Sequence, residues 1–432
     1  MCSKLLRCLF YTHPFKAALA ALVLEALGKG EQELKSVLAY LRGKIMGPLN
    51  DRSVTFRVAV LMFSIPLNPD EDSELCRDLV SQYMHYCCSV SIDRKMARIK
   101  PFPEPLLGYL SLQIIGEHGW KFFIDVLCIP RLITEPNRGA NGELALQLLL
   151  LMVFSVLSKK SHERIGGGRS FNYPIYPVFL LDMLNIMQVT ESNLIDSNDP
   201  ESHNSQKYLF GLLEPSLKND MCRVTQFIQT FTPRDSGYLK QSFEAGTGII
   251  TEINTAKIDG SLPVFVPRDT ATNFLDEQLT PDRMTKVTLQ STRYRTASAG
   301  AIKAATCLAR NADLENSALF YVNSLMDCGR NESGKPHVEL FGMNRRKRVR
   351  RTVKKKSSDF GKCFGIYIRG LCPSHILGEG YKTSKETIED VDAAFTRLCL
   401  LEGSPHQDDS LSGGYRIPST LRTLLRSREE LE

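Results

Sequence analysis

Apolar positions recur at helical spacing through most of residues 1–245. In residues 31–45 the i, i+3, i+4, i+7 pattern, which places apolar side chains on one helix face, is carried by Leu34, Val37, Leu38 and Leu41. The same spacing predicts further helices at 15–27, 52–63, 73–88, 105–115, 119–127, 141–158, 177–188, 205–213, 218–231 and 235–244. Short connections, often marked by Pro, favour antiparallel helical neighbours.

The pattern changes after residue 245. Runs of β-branched residues bounded by Gly or Pro are typical of strands, and they predict strands at 246–254, 262–267, 286–290, 338–342 and 363–370. Helical spacing returns at 297–310, 312–326 and 383–403. In the last of these, Thr383 or Ser384 is the expected cap, Glu386 strengthens the start and Gly403 ends the helix.

These patterns predict a mainly α protein: an N-terminal helical bundle or irregular helical solenoid with a smaller α+β C-terminal part. The expected divisions are a helical domain at 1–245, an α+β region at 246–403 and a loop with a short C-terminal helix at 404–432. No signature recurs at the spacing of known repeat proteins, so a regular repeat array is not expected.

The longest apolar run predicts a buried core helix rather than a membrane span. Residues 144–157 include Gln147 and fall short of the ~20 residues that cross a bilayer. The 12 cysteines form no compact disulfide framework, so reduced thiols in an intracellular protein are expected, with no membrane partner. The N-terminus has no acid before Glu25, which leaves a mitochondrial presequence open as an alternative.

One basic segment, residues 344–358, changes the charge of the whole chain. The formal net charge is +6, and removing the nine cations of this segment leaves −3. Such a run fits the acidic groove of a nuclear import receptor, and it also fits the phosphates of a nucleic acid. The expected contact residues are Arg345, Arg346, Lys347, Arg348, Arg350, Arg351, Lys354, Lys355 and Lys356. A solvated loop with no partner is the alternative.

Two segments near this run resemble strand motifs of RNA-recognition-motif domains. Residues 362–368, KCFGIYI, are similar to the K-G-F-G-F-V strand, and residues 318–325, ALFYVNSL, are similar to the L-F-V-G-N-L strand. The resemblance implies base stacking by Phe320 and Phe364. Ile366 stands at the third aromatic position, so we do not assign the chain to that family.

Candidate metal ligands are incomplete. Cys363, Cys372 and His375 supply three zinc-type ligands where a structural site uses four. His85 and Cys88 stand three residues apart in a predicted helix, where a packed core turn is favoured over half a metal site or a Cys–His nucleophile pair. We therefore predict no metal and no cofactor.

Motifs for catalysis are incomplete as well. Residues 378–384, GEGYKTS, lie between a predicted strand and a predicted helix, as a phosphate-binding loop does. Tyr381 and Ile376 occupy the positions where that motif needs glycine. No hydrolase signature occurs, so a non-enzymatic protein is predicted, and an active site assembled from distant residues is the alternative.

The leading expectation is a nuclear, nucleic-acid-associated protein. One form is a nucleoprotein-like RNA-binding clamp in which the basic segment contacts phosphates, with RNA favoured over DNA. The alternative is a helical scaffold or adaptor whose N-terminal domain binds protein partners. In that alternative the basic segment is only a nuclear localisation signal. The expected compartment of the protein is the nucleus with a cytoplasmic pool, and the cytoplasm is the alternative.

Overall fold

The computed structural model describes less than half of the chain, in separate ranges. They are isolated positions between 39 and 62 and residues 65–67, 85–90, 97–101, 105–128, 138–165, 177–194, 207–213, 217–229, 236–250, 260–267, 279–292, 319–325, 336–342 and 363–400. The basic segment 344–358 and the predicted helices at 15–27 and 297–310 lie outside them.

Three helices confirm three of the helix predictions for the first part of the chain. They are α1 at Pro105–His118, α2 at Trp120–Leu127 and α3 at Arg138–Ile165. The apolar run predicted as a core helix lies within α3, where residues 148–153 are fully buried. No helix in the described ranges is long and apolar enough to cross a membrane.

A small antiparallel sheet corrects one helix prediction. Its strands are β1 at Ile65–Leu67, β2 at His85–Val90 and β3 at Ala97–Pro101, in the order β1-β3-β2. The helix predicted at 73–88 is therefore wrong over its last residues. Successive side chains of a strand point to opposite faces, so the helical spacing inferred for His85 and Cys88 does not apply.

The large sheet, as far as the chain is described, has nine strands. The strands are β4 at Val178–Phe179, β5 at Met221–Cys222, β6 at Gln226–Gln229, β7 at Thr247–Ile250, β8 at Gly260–Phe265, β9 at Met284–Thr292, β10 at Leu319–Leu325, β11 at His337–Gly342 and β12 at Cys363–Arg369. The main path runs β11-β12-β10-β9-β8-β5-β4, with β7 pairing both β8 and β6.

This sheet is mixed. β10 runs parallel to both of its neighbours, β9 and β12, whereas β11 runs antiparallel to β12 and β8 runs antiparallel to β9. A parallel neighbour needs a crossover connection rather than a tight turn. The pairing therefore joins segments that lie far apart in the sequence.

Four further helices lie between or after these strands along the chain. They are α4 at Leu180–Ile186, α5 at Ser236–Glu244, α6 at Pro373–Leu377 and α7 at Ile388–Leu400. One face of the sheet shares the main hydrophobic cluster with α3 and α7, through residues such as Leu262, Val287 and Ile366. A smaller cluster joins α5 to the sheet through Phe243, Phe265 and Met284.

The fold class of the described ranges is α+β, as predicted for the C-terminal part, whereas the strands found before residue 245 do not fit the predicted helical domain. The helix expected at 218–231 is replaced by β5 and β6, and the helix expected at 312–326 is replaced by β10 over Leu319–Leu325. Short apolar runs fit both periods, and pairing within the sheet decides between them.

The described ranges contain no solenoid, because their helices pack on a sheet rather than in a row. Strands from both sides of residue 245 belong to the same sheet. The division at 245 and 246 stays a prediction.

Candidate nucleic-acid interface

The basic segment 344–358 connects two paired strands. β11 ends at Gly342 and β12 begins at Cys363, and Gly342 lies opposite Phe364 in their antiparallel register. The nine predicted contact residues, from Arg345 to Lys356, lie outside the described ranges. The sheet therefore fixes both ends of the connection that carries them.

The connection leaves the sheet near one margin. β11 is the last strand on its side of the described sheet, and beyond it an isolated bridge joins Val338 to Leu194. Leu319, the first residue of β10, lies opposite Cys363, the first residue of β12. The basic segment thus departs from the edge at which these two parallel strands begin.

The two candidate stacking residues are neighbours in the sheet. Phe320 of β10 lies opposite Phe364 of β12 in the parallel register. Both residues lie on strands, as the resemblance implied, whereas helical periodicity had predicted a helix at 312–326. Base stacking by Phe320 and Phe364 stays a prediction.

A row of buried polar side chains alternates with the apolar core positions of the sheet. Ser261, Lys286 and Thr288 are at most 5% exposed, while Val287 and Leu289 between and beside them belong to the main cluster. Burial keeps this row from presenting its charge to a long polyanion. It therefore does not extend the candidate interface.

The three residues considered as zinc ligands do not come together. Cys363 begins β12, and Cys372 follows the end of that strand. Seven strand residues at ~3.3 Å each separate the two ends. Only the pair at the far end is close, with Cys372 Sγ 3.0 Å from His375 Nδ1. Within the described ranges, no group of three or more His, Cys, Asp or Glu side chains could hold a metal.

Residues 378–384 form a joint between helices rather than a phosphate cradle. The Tyr381 backbone N–H donates to the Gly378 carbonyl at 3.0 Å, which closes a turn. The Tyr381 hydroxyl donates to Glu386 Oε1 at 2.8 Å. α6 separates this segment from β12, so the strand–loop–helix framing of a phosphate-binding loop is missing.

Glu386 is the residue on which this joint depends. Its side chain is only 3% exposed, and its two oxygens accept the backbone N–H groups of Trp120 and Lys121, each at 2.8 Å. These two N–H groups belong to the first turn of α2, where no partner within the helix is available. The carboxylate also suits the positive end of the helix dipole.

Gly119 makes room for this carboxylate. Its φ of 104° lies in the region that side chains disfavour, and a Cβ at this position would lie 2.4 Å from Glu386 Oε2. We refer to Gly119, the first turn of α2, Tyr381 and Glu386 as the α2 joint.

The Tyr381 phenol makes the α2 joint sensitive to alkali. Burial, followed by the hydrogen bond to Glu386, raises the pKa of Tyr381. In the unfolded chain this phenol ionises at about pH 10, whereas at the same pH the folded chain keeps it neutral. The contribution of the Tyr381 phenol to the free energy of unfolding is therefore complete below about pH 10, and it is lost as the pH rises above that value.

We expect the melting-temperature difference between the wild type and Tyr381→Phe to shrink between about pH 8 and about pH 11. Tyr208→Phe is the matched control, because Tyr208 is 68% exposed. The pH dependence of the Tyr381→Phe difference is compared with that of this control. A Tyr381→Phe difference that stays constant over the range would contradict the proposed role of the phenol.

Sequence reasoning missed the α2 joint. Glu386 was expected to strengthen the start of its own helix, but α7 begins only at Ile388. Asp390 instead accepts the N–H and hydroxyl of Thr387 just before α7, at 2.9 and 3.1 Å. The local signal in the sequence was a glycine at position 119, and glycine there also fits a simple helix end.

Comparison of the chain with protein-family models, with curated proteins and with solved structures found no match.

Proposed function

We propose that this chain is a nuclear, nucleic-acid-associated protein that contacts phosphates through the basic segment 344–358. The observation that carries the proposal is the place of this segment between β11 and β12, two strands paired in register. Nine cations and no acid fall within residues 345–356, and the rest of the chain has a slightly negative formal charge.

The physical basis is counterion release. Each Lys or Arg that neutralises a phosphate releases condensed counterions, so affinity falls as salt rises. Nine like charges in a short segment repel one another, and a polyanion relieves that repulsion. Because both ends of the segment are tied to the sheet, binding costs less chain entropy than it would on a free tail. RNA is the favoured ligand, as in a nucleoprotein-like clamp.

The test is salt-dependent binding of fluorescent single-stranded RNA to the purified full chain. We expect replacement of Lys354, Lys355 and Lys356 with Gln to weaken binding. The same replacement should flatten the plot of log affinity against log salt by about 0.7 for each phosphate that the variant no longer neutralises. Fluorescence anisotropy between about 50 and 200 mM salt gives both quantities.

A matched control removes the same charge elsewhere. Lys218, Lys382 and Lys385 are exposed outside the basic segment, and their replacement with Gln should leave the salt slope unchanged. Equal reductions of affinity in the two triple variants would mean that net charge alone is responsible. Failure of the wild type to bind RNA or DNA oligonucleotides at low salt would overturn the proposal.

A second function is favoured by a different observation. Tyr208 and Leu212 are 68% and 44% exposed in the helical residues 207–213, which places two large apolar side chains one helical turn apart on the surface. An interaction scaffold would use such positions for a protein partner. In that function the basic segment serves only nuclear import.

The two functions differ in what the basic segment does alone. If it is an import signal only, residues 343–362 fused to a fluorescent reporter should direct it to the nucleus, while the purified chain binds no oligonucleotide. If it is a nucleic-acid contact, RNA affinity should depend on it in the purified chain. Nuclear entry together with salt-dependent RNA binding would mean that it serves both purposes.

A further inference from the structure

A cysteine, a serine and a histidine converge where β12 leads into α6. Cys372 Sγ lies 3.0 Å from His375 Nδ1 and 3.0 Å from Ser374 Oγ. All three residues are partly exposed at the surface of the protein. A nucleophile within hydrogen-bond reach of a base is the geometry that activates a thiol for attack.

The backbone identifies which ring nitrogen is the base. The Cys372 backbone N–H donates to His375 Nδ1 at 3.2 Å. A nitrogen that accepts a hydrogen bond carries a lone pair, so this contact assigns the ring proton of the neutral histidine to Nε2. The nitrogen that faces the sulfur is therefore the one able to take up a proton.

Contacts from two other elements hold the pair in place. Asp392 Oδ1 on α7 accepts the Ser374 backbone N–H at 3.0 Å. The Gln188 side chain, which follows α4, donates to the His375 carbonyl at 3.2 Å. The turn that carries sulfur and base is thus fixed to the elements on either side of it.

We propose that Cys372 and His375 form a nucleophile–base pair, and that Cys372 is a modification site for small disulfides. In the reaction, the Cys372 thiol proton moves to His375 Nδ1 as Sγ attacks one sulfur of the disulfide. A new Sγ–S bond forms, the original S–S bond breaks, and the leaving thiolate takes the proton from His375. Cys372 is oxidised to a mixed disulfide and the leaving sulfur is reduced, so no further oxidant is needed.

Three other cysteines whose side chains the structure describes are internal references. Cys222 and Cys399 are buried. Cys128 is partly exposed like Cys372, but burial raises the pKa of its thiol, and its neighbour is Arg397 rather than a base. Cys128 is therefore the matched thiol, with similar access but without a proton acceptor.

The test treats the reduced full chain with a limiting amount of 5,5′-dithiobis(2-nitrobenzoate) near neutral pH. Peptide-resolved mass spectrometry then follows each cysteine over time. We expect Cys372 to be labelled at least about tenfold faster than Cys128, a threshold set below the roughly 10²–10⁴-fold that a positioned general base contributes. Equal or slower labelling of Cys372 would overturn the proposal without any variant being made.

His375→Gln separates the base from the structural role of the histidine. The glutamine side-chain oxygen can still accept the Cys372 N–H, as Gln does at this position of a capping box, but it cannot take up a thiol proton. We expect the Cys372 rate to fall about tenfold or more while the Cys128 rate stays the same. An unchanged Cys372 rate in a variant with the wild-type circular dichroism spectrum would remove His375 from the reaction. This inference does not depend on nucleic-acid binding.

Discussion

Replacing Gly119 with Ala should destabilise the protein by about 3 kcal/mol or more. The backbone at Gly119 has a φ of 104°, which costs a residue with a side chain more than it costs glycine. The added Cβ would also lie 2.4 Å from Glu386 Oε2 and 2.6 Å from its Cδ. The carboxylate cannot retreat without releasing the N–H groups of Trp120 and Lys121. Urea unfolding followed by circular dichroism measures the decrease in stability.

Gly116→Ala is the matched control, because it makes the same substitution three residues earlier. Gly116 lies on the exposed side of α1, and a Cβ there meets nothing within 4 Å. The higher helix propensity of Ala should stabilise the protein by up to ~1 kcal/mol. If Gly119→Ala lowers the free energy of unfolding and Gly116→Ala raises it, the loss of stability arises at the α2 joint rather than from the substitution as such. A small destabilisation at Gly119 would mean that the joint relaxes easily.

Glu386→Gln should cost roughly 2–4 kcal/mol. The carboxylate accepts three hydrogen bonds, from the backbone of Trp120, the backbone of Lys121 and the hydroxyl of Tyr381. An amide keeps one oxygen, but its NH2 group would face a donor with which it cannot pair. The buried position prevents water from replacing the missing acceptor. Differential scanning calorimetry should register a lower melting temperature.

Glu379→Gln provides the control for removal of a carboxylate charge. Glu379 is exposed in the same segment, so its replacement should leave the melting temperature nearly unchanged.

Gly119→Ala combined with Glu386→Ala should lower the free energy of unfolding by less than the sum of the two single changes, because removing the carboxylate also removes the clash. Full additivity would contradict the contact between Gly119 and Glu386.

The α2 joint connects distant parts of the chain. Glu386 and Trp120 are 266 residues apart in sequence, yet one carboxylate holds the start of α2 against the segment that follows α6. Arg397 of α7 pairs with Asp125 of α2 and strengthens the same packing. β12, which ends the connection that carries the basic segment, leads through α6 and this joint to α7. Stability of the joint and RNA affinity can be measured separately, since no residue of the joint belongs to the basic segment.

Much of the secondary structure was predictable where periodicity was long and unambiguous. α1, α2 and α3 lie close to their expected places, and so do the strands that contain Leu262, Val287 and Ile366. In these segments one spacing of apolar residues fits much better than the other. The prediction of a helix at 312–326 was wrong because the spacing of Phe320, Tyr321 and Val322 fits both a helix and a strand. Pairing with β9 and β12 decided for the strand.

The candidate sites, like the secondary structure, were predictable from the sequence only in part. The charge density of residues 345–356 is a property of the sequence, and no fold is needed to see it. Cys372 and His375 could be paired from their spacing alone, but Cys363 was wrongly grouped with them because an extended strand carries it away. Glu386 suited a capping box with Thr383 and instead caps a helix that lies 266 residues earlier.

By itself, the sequence determined where the chain is apolar, where it is basic and which long helices form, because these depend on local composition and spacing. The tertiary structure decided which short segments became strands, which strands became neighbours and which helix Glu386 caps. Those outcomes depend on hydrogen bonds and packing between residues far apart along the chain. A buried acceptor binds whichever unpaired donors the fold brings to it, and here the fold brought Glu386 to the first turn of α2.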